Sequence, residues 1–457
     1  MTDAVTEEQV AGPKPRTQWG RHGRRPVRLL ALVALIDAVD RGILPGVLTD
    51  VQDEFGFSDT AAGFLGTAFV VTGFLVALPA GYLADRHHRT RVIAVVLVSW
   101  GAISALNAAV RSYWQFLAVR AALGVGETVD NPASSSLIAD YYRPEVRSRA
   151  FAFIRVAPLA GTALGTALGG VVGALLGWRW AFLLVGVPGS LLALAMWRLP
   201  EPERGESDRR EPPEGDELTP MLPPTAPTPV VDRGGRAMLR DVRAALRVGS
   251  LRALMIGSAI ASGALAGFGF WAPAFYERHS NLGSGSSASL TGVLILTGAV
   301  LGTVGGGHLA DRLRTRYVGA PMLVTGVSQF LGALLLAPTF LPVPLWFRMP
   351  VQVVAVALVV GGLPALSTMI SEVVPAAVRG AAFSLTGFLG AIVGAISPPL
   401  IGFLADQFPF TVDGEVRGHL ANAFLCVTPL VMIGALVVLR GRSTVAADVE
   451  AARATPG

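Results

Sequence analysis

The sequence predicts an all-α polytopic membrane protein with twelve transmembrane helices arranged as two six-helix bundles. Three observations lead to this prediction. Of the 457 residues, 52% are hydrophobic and 15% are charged, and the mean hydropathy of +0.54 is too high for a soluble protein of this length. Apolar stretches of about 20 residues, enough to cross a bilayer as a helix, recur along the chain. The two halves of the chain also repeat each other.

The apolar stretches form two groups separated by a polar segment. The first group covers residues 27–49, 60–83, 92–111, 113–140, 150–176 and 178–199. The second group covers residues 251–276, 288–310, 318–341, 344–371, 376–405 and 418–440. We therefore expect an N-terminal bundle over 27–199 and a C-terminal bundle over 251–440, with tails at 1–26 and 441–457.

The segment over 200–250 is expected to be a linker between the bundles. Residues 200–236 are rich in Pro, Glu and Arg and cannot bury a core, which predicts a flexible chain. Beyond them, apolar residues recur at helical spacing among Arg240, Arg243 and Arg247. This pattern fits an amphipathic helix on the membrane surface, and it fits an ordinary basic linker end equally well.

Arginines cluster in alternate loops and predict the orientation in the membrane. Residues 86–91, 143–149 and 312–316 are rich in arginine, whereas the loop after the first helix carries four carboxylates and no Lys or Arg. The positive-inside rule then places both termini in the cytoplasm, in a multi-pass protein of the inner (plasma) membrane. The same pattern accounts for the pI of 9.8 without a nucleic-acid partner. The single cysteine, Cys426, excludes a disulfide framework, and no metal site is expected.

Two anchors carry the internal repeat. The segment from Gly81 to Arg86, Gly-Tyr-Leu-Ala-Asp-Arg, matches Gly-His-Leu-Ala-Asp-Arg at 307–312, an offset of 226 residues. The segment 132–147 matches 364–379 at an offset of 232. The first anchor, continued to Arg91, resembles the signature loop of the major facilitator superfamily, and the resemblance covers nearly the whole chain. It implies two bundles that rock about a midplane cavity, with this loop stabilising the cytoplasm-closed state.

The repeated glycine and carboxylate also have a physical reason. Glycine lets helices approach closely, and a carboxylate can cap or pair with the end of a neighbouring helix. Charges that only set topology would explain the arginines but not this repeated pair. We therefore expect a cytoplasmic gate built from Gly81, Asp85, Arg86, Arg89, Asp140, Arg147, Gly307, Asp311, Arg312, Glu372 and Arg379.

Charged residues inside the predicted spans are the most informative feature for function. Asp37, Asp40 and Arg41 lie within five residues of the first helix, and a charge near the bilayer centre costs roughly 2.5 to 3.5 kcal/mol. Their spacing of three and four residues places them on one side of the helix. Such residues require a paired, hydrated or functional environment.

The fourth predicted helix carries a second charged set, Arg120, Glu127 and Asp130, whose spacing also allows one common face. The repeat positions in the second half hold neutral residues, namely Gln352, Val359 and Gly362. Ionisable groups are therefore concentrated in the N-terminal bundle.

These groups could couple transport to protons. Burial raises the pKa of a carboxylate and a nearby arginine lowers it, so Asp40 and Glu127 beside Arg41 and Arg120 could titrate in the working range. The alternative is that Asp40 with Arg41, and Arg120 with Glu127, are structural ion pairs that never change protonation. The expected coupling ion is the proton, and no cofactor is expected.

The same residues resemble the Spinster-like branch of the superfamily. The resemblance rests on Val39-Asp40-Arg41-Gly-Ile-Leu-Pro-Gly in the first helix and on Gly124-Val-Gly126-Glu127 in the fourth. It implies transport of lysolipids, sphingolipids or related amphiphiles, with Asp40 and Glu127 as proton-linked acids and Arg41 as their support.

The sequence departs from that branch at Asp37, Asp130 and Arg155, so we treat these residues as substrate-cavity candidates. Arg155 could instead extend to the membrane surface. Phe268 and Trp271 are aromatic candidates for contact with a lipid-like tail, although most membrane aromatics serve packing.

Three function classes are compared. The first is a proton-coupled exporter of an amphiphilic, anionic lipid-like compound, expected to act as a monomer in the bilayer. The second is an organic-anion/proton symporter or drug exporter of the same superfamily. The third, an enzyme, is disfavoured because the six histidines are scattered and no nucleophile and base pattern is present.

Overall fold

The computed structural model describes residues 19, 22–204, 206–208, 235–314, 319–375, 378–412 and 415–454. Within these ranges, side chains are not described at 77–86, 126–132, 144–145, 148, 155, 235–239, 241, 412, 415 and 453.

Helices α1 to α6 form the N-terminal bundle. They span Arg25–Phe55 (α1), Asp59–Arg86 (α2), Arg89–Leu106 (α3), Tyr113–Tyr141 (α4), Pro144–Leu176 (α5) and Trp178–Trp197 (α6). The helix ends follow local sequence: the hydroxyls of Ser58 and Ser112 cap α2 and α4, accepting hydrogen bonds from Ala61 N and Gln115 N. Helix α1 ends at Gly56, whose φ of 65° is left-handed and suits glycine.

The C-terminal bundle contains six long helices and two short helices at its edge. They span Gly235–Arg247 (α7), Gly249–Ser280 (α8), Ser284–Arg314 (α9), Ala320–Leu336 (α10), Leu345–Val373 (α11), Arg379–Asp406 (α12), Leu420–Gly441 (α13) and Val445–Ala454 (α14). A two-stranded antiparallel hairpin, β1 (Pro409–Val412) and β2 (Glu415–Gly418), connects α12 to α13 and was not predicted.

Two names describe the ends of the molecule. The hairpin end holds the β-hairpin and the connections at 55–59, 107–113, 280–284 and 406–420, and the linker end is the opposite one, where α7 and α14 lie. Within the described residues, ten helices are long and apolar enough to cross a membrane. Helix α1 is not among them, although it has 31 residues, because Asp37, Asp40 and Arg41 lie in its middle.

Helix α1 packs tightly along α5 because α5 presents glycine every fourth residue. Gly161, Gly165 and Gly169 lie against the carbonyl oxygens of Leu35, Val39 and Ile43, and a Cβ on Gly169 would lie 2.7 Å from the Ile43 oxygen. The spacing thus produces the close backbone contact that it predicts. This contact fixes the rotation of α1 and directs Asp40 towards α3 and α4.

The bundles contact each other through α2 with α12, α5 with α9, and α1 with α8. Close contacts lie nearer the hairpin end: Gly63 abuts Pro399, and Gly292 abuts the backbone of Ala163. Nearer the linker end, a Cβ added to Gly305 of α9 or Gly387 of α12 would have open space around it. The bundles therefore meet from the hairpin end to mid-length, where the ring centres of Phe74 on α2 and Phe388 on α12 are still 5.2 Å apart, and they diverge beyond that level, towards the linker end.

Candidate functional site

Asp40 lies at the centre of the N-terminal bundle and is 0% exposed. The Ser104 hydroxyl on α3 donates a hydrogen bond to Asp40 Oδ1. Asp40 Oδ2 accepts no hydrogen bond from the described residues, and Arg120 Nη1 on α4 is 3.8 Å away. The Asp40 carboxylate is therefore buried with one neutral hydrogen-bond donor, Ser104, and one cation, Arg120, whose guanidinium is too far away for a direct hydrogen bond.

Arg120 is itself 3% exposed, and its Cζ lies 5.8 Å from the centre of the Phe69 ring on α2. Four helices thus surround the Asp40 carboxyl group. Water is excluded, so a charge on Asp40 depends on Arg120 for compensation. A protonated Asp40 would be able to donate to the Ser104 oxygen with little movement, and the role of Asp40 in proton coupling stays a prediction.

The ion pairing differs from the expected pairing of Asp40 with Arg41. Arg41 instead donates to Asp37 Oδ2 at 2.8 Å, an i,i+4 pair along α1. The side chains of Arg41 and Asp37 are 36% and 16% exposed, whereas those of Arg120 and Asp40 are 3% and 1% exposed. The three charged residues of α1 therefore separate into a buried acid and a half-buried ion pair.

Helix α4 also contains Glu127 and Asp130, and α5 contains Arg155. Their side chains lie outside the described part of the structure, so their roles in proton coupling and substrate binding stay predictions.

The position of the C-terminal bundle that corresponds to Arg120 is neutral, although the buried Arg348 lies one turn away on α11. Gln352, the repeat partner of Arg120, is 0% exposed and accepts a hydrogen bond from the Tyr276 hydroxyl. Its Nε2 donates to Thr339 Oγ1 at 3.0 Å. An uncharged hydrogen-bond network occupies the place where the N-terminal bundle uses an ion pair.

The two aromatic cavity candidates are buried inside the C-terminal bundle. Phe268 is 4% exposed and packs against Phe340 and Phe424, with which it lines an apolar cavity within the bundle. Trp271 is 0% exposed, and its Nε1 donates to the Pro398 carbonyl at 2.9 Å. In this state both rings pack the bundle, and contact with substrate stays a prediction.

A buried ion pair joins the two bundles at the hairpin end. Arg278 of α8 donates through its two terminal nitrogens to the two carboxylate oxygens of Asp59 on α2, at 2.7 and 2.8 Å. Both side chains are 3% exposed. Arg278 also donates to Gln52 Oε1 and to the Gly418 carbonyl, each at 3.1 Å. This network links α1, α2, α8 and β2.

Asp406 supplies a second contact between the bundles at the same end. Its carboxylate, at the end of α12, accepts hydrogen bonds from the backbone of Asp59 at 3.1 Å and from the backbone and hydroxyl of Thr60 at 2.9 and 2.6 Å. It therefore caps the amino end of α2, where the helix dipole favours an anion. Arg417 of β2 also pairs with Asp53 of α1.

From the sequence, Asp59 was interpreted only as one of the loop charges that indicate membrane orientation, and Arg278 and Asp406 were not singled out. The sequence does contain a signal for this contact. The loop after the first span is acidic, and Arg278 is one of the few arginines at the same end of the molecule. Charge complementarity between the two loops could have suggested the contact.

At the linker end, Arg89 forms the centre of a network inside the N-terminal bundle. Its guanidinium pairs with Asp140, donates to Ser136 Oγ at 2.7 Å and donates to Glu201 Oε1 at 2.8 Å. Arg147, expected near Asp140, donates to the carbonyls of Ala139 and Tyr142 at the end of α4. Arg89 and Asp140 thus lie together, and their part in a gate stays a prediction, as does that of Gly81, Asp85 and Arg86, whose side chains are outside the described residues.

Glu201 attaches the start of the linker to this network. Its Oε2 accepts a hydrogen bond from Thr90 N at 2.9 Å. Burial alone would raise the pKa of Glu201, but the hydrogen bonds from Thr90 and Arg89 dominate and hold that pKa below its ordinary value. The first linker residues are therefore fixed to α3, and the expected flexible stretch begins later than residue 200.

The second copy of the signature loop is arranged differently. Gly306, rather than Gly307, lies against the backbone of Gly361 on α11, whereas a Cβ on Gly307 would meet only Pro364 at 4.0 Å. Glu372 pairs with Arg314. The remaining three predicted gate residues of this half, Asp311, Arg312 and Arg379, are exposed.

The family assignment follows from comparison with known proteins. The family model of the Major Facilitator Superfamily matches residues 30–398, which is most of the chain and includes α1, α4 and both copies of the signature loop. The chain belongs to the major facilitator superfamily. The predicted all-α fold of two six-helix bundles is therefore confirmed, and the protein is a transporter rather than an enzyme.

Individual relatives point to the Spinster branch and to efflux pumps. An MFS-type efflux pump of Mycolicibacterium smegmatis is 29% identical over 444 residues, which is 95% of this chain and 94% of that protein. Protein spinster of Drosophila melanogaster is 26% identical over 332 residues, covering 70% of this chain but only half of the fly protein. The crystal structure of a bacterial homolog to the human lysosomal transporter Spinster, inward-facing and unoccupied, has a TM-score of 0.80 at 21% identity, covering 94% of this chain and 99% of that one.

Proposed function

We propose that this transporter is proton-coupled and moves an amphiphilic, anionic lipid-like compound, such as a lysophospholipid or sphingolipid, outward by alternating access. The observation that carries the proposal is the wholly buried Asp40, held by Ser104 and Arg120 in one bundle. A fixed structural role would be served equally well by neutral groups, as Gln352 and Tyr276 demonstrate in the other bundle. Asp40 is the group we assign to proton exchange, together with Glu127.

The state of the molecule supports an order of events. The hairpin end is closed by Arg278 and Asp59, and the bundles diverge towards the linker end, which we take as cytoplasmic. Protonation of Asp40 would remove the negative charge that lies 3.8 Å from Arg120 Nη1 and so weaken the attraction between α1 and α4. A change in the N-terminal bundle alone would thereby alter the balance between the closed and open hairpin end.

Exposed apolar side chains on α5 and α9 are compatible with a lipid-like substrate. Helices α5 and α9 touch where Ala163 meets Gly292. Towards the linker end, Phe153 and Val156 of α5 are 56% and 58% exposed, and Leu301 and Val304 of α9 are 55% and 56% exposed. An acyl chain could enter between these helices from the bilayer, and the half-buried Arg41 could bind an anionic headgroup.

The test is transport in proteoliposomes with an imposed pH gradient, using a lysophospholipid and a sphingolipid as probes. Asp40→Asn should abolish the stimulation of transport by the gradient while the protein still binds the probe. Asp37→Asn makes the same chemical change one turn away. It neutralises the carboxylate that pairs with Arg41, so it should not weaken binding of an anionic probe, and it should leave the dependence on the gradient in place. Full gradient stimulation in the Asp40→Asn protein would refute the coupling proposal.

A second candidate is export of amphiphilic drugs, favoured by the efflux pump of Mycolicibacterium smegmatis that aligns along nearly the whole chain. The two candidates share Asp40 and differ in cargo. Competition in the same liposomes separates them: drug export predicts that hydrophobic organic cations or neutral dyes are moved and that lysophospholipids are not. An organic-anion symporter would instead accumulate small carboxylates with protons.

A further inference from the structure

The linker end of the C-terminal bundle carries exposed arginines that the gate and the proton site do not use. Helix α7 bears Arg240, Arg243 and Arg247, and steps of three and four residues place them on one helix face. All three are exposed. On another face of α7, Ala245 is fully buried, in one cluster with Leu254 of α8 and with Ala382 of α12. The helix is thus fixed with its basic face outward.

Two neighbouring helices extend this basic surface. Arg252 is exposed in the first turn of α8, and Arg440 is exposed in the last turn of α13. The two turns meet, because Gly441 lies against Ala253 with no room for a Cβ between them. We call Arg240, Arg243, Arg247, Arg252 and Arg440 the α7 arginine patch.

A carboxylate close to the patch is already engaged. Asp448 of α14 caps α8, accepting hydrogen bonds from Ser250 N at 2.9 Å and from Ser250 Oγ at 2.7 Å. Its negative charge therefore compensates the amino end of α8.

The level of the α7 arginine patch relative to the membrane indicates which molecules it can contact. Only Val248 separates α7 from α8, and Arg440 ends a membrane-spanning helix, so these arginines lie where the helices leave the bilayer. Leu246, beside them on α7, is 39% exposed and can insert at the boundary of the acyl chains. Basic and apolar groups together at this level are complementary to the headgroup region of an anionic leaflet.

We propose that the α7 arginine patch binds the phosphate groups of anionic phospholipids in the surrounding leaflet. This proposal depends on the membrane placement of the chain and not on the identity of its cargo.

The full-length protein is titrated in neutral detergent with phosphatidylglycerol, with phosphatidylcholine of the same acyl chains, and with soluble glycerol phosphate. Bound lipid is counted by native mass spectrometry. Phosphatidylglycerol should bind at least ten-fold more tightly than either control compound. Arg240→Gln with Arg243→Gln should weaken phosphatidylglycerol binding about thirty-fold and leave phosphatidylcholine binding unchanged.

The matched control is Arg149→Gln with Arg198→Gln, which removes two exposed arginines from the linker end of the other bundle. This control should retain the affinity for phosphatidylglycerol. An equal loss in both double variants would indicate general charge attraction and overturn the proposal. Equal binding of soluble glycerol phosphate would also overturn it, in favour of a site for a free phosphate compound.

Discussion

Replacing Arg278 should open the hairpin end of the transporter. Arg278→Gln removes four hydrogen bonds, two of them to the buried carboxylate of Asp59. Breaking a buried ion pair by removing one partner costs about 3 to 5 kcal/mol, because the other charge stays in a water-poor site. The cost applies only while the hairpin end is closed, since Asp59 regains water when the bundles separate there. A loss of about 3 kcal/mol would shift the balance between the two states roughly 150-fold towards the open state.

Distances between spin labels measure this shift. After Cys426→Ser, which removes the only native thiol, labels are attached at Arg111→Cys and Val416→Cys, two exposed positions at the hairpin end on different bundles. Pulsed electron paramagnetic resonance in nanodiscs should give mainly the short distance for the parent protein. The Arg278→Gln protein should give mainly a longer distance.

Arg179→Gln is the matched control. Arg179 also forms a bidentate pair with a carboxylate at the hairpin end, but its partner Glu54 lies in the same bundle and both side chains are more than a third exposed. This variant should keep the short distance. If Arg278→Gln also keeps it, or if Arg179→Gln lengthens it equally, the ion pair does not hold the hairpin end closed.

Two further predictions concern packing and the linker. Gly165→Ala places a methyl group against the Val39 backbone. It should therefore destabilise the protein by about 1 to 3 kcal/mol and lower its melting temperature. The control is Gly387→Ala, which adds a methyl group in open space and should have little effect on the melting temperature. Glu201→Gln should lower the melting temperature at pH 7, because a neutral amide cannot replace both accepting oxygens. The pKa of Glu201 is lowered in the folded protein, so its stabilisation is complete above the ordinary glutamate pKa and is lost as the pH falls through the folded value. The melting temperatures of the parent and Glu201→Gln proteins should therefore converge on acidification, and a constant difference down to pH 3 would contradict this account.

Much of the fold and part of the site could be predicted because they depend on local sequence. The spans follow from apolar runs of sufficient length, and Asp40 stands out because a carboxylate inside such a run is costly wherever it points. The glycine spacing in α5 is likewise a local pattern that favours a close helix contact, and the structure places that contact against α1.

The contacts that could not be predicted depend on how helices rotate and which loops meet. Asp40 was grouped with its neighbour Arg41, yet the cation that lies near its carboxylate is Arg120, 80 residues away on α4. The rotation of α1 is set by its packing against α5, so it cannot be predicted from the sequence of α1 alone. Asp59 and Arg278 are 219 residues apart and each resembles an ordinary loop charge. The β-hairpin at 409–418 carries no strong alternation of apolar residues and forms where the chain crosses the closed end.

The cap that Asp406 forms on α2 has a consequence for leakage. Helix α2 is continuous from this cap at one end of the molecule to the signature loop at the other. If a tilt is transmitted along α2, moving it away from α12 at the hairpin end would bring its other end closer to the opposite bundle. One helix anchored alternately at its two ends would then give the membrane a safeguard, because the pathway through the protein would not be open on both sides at once.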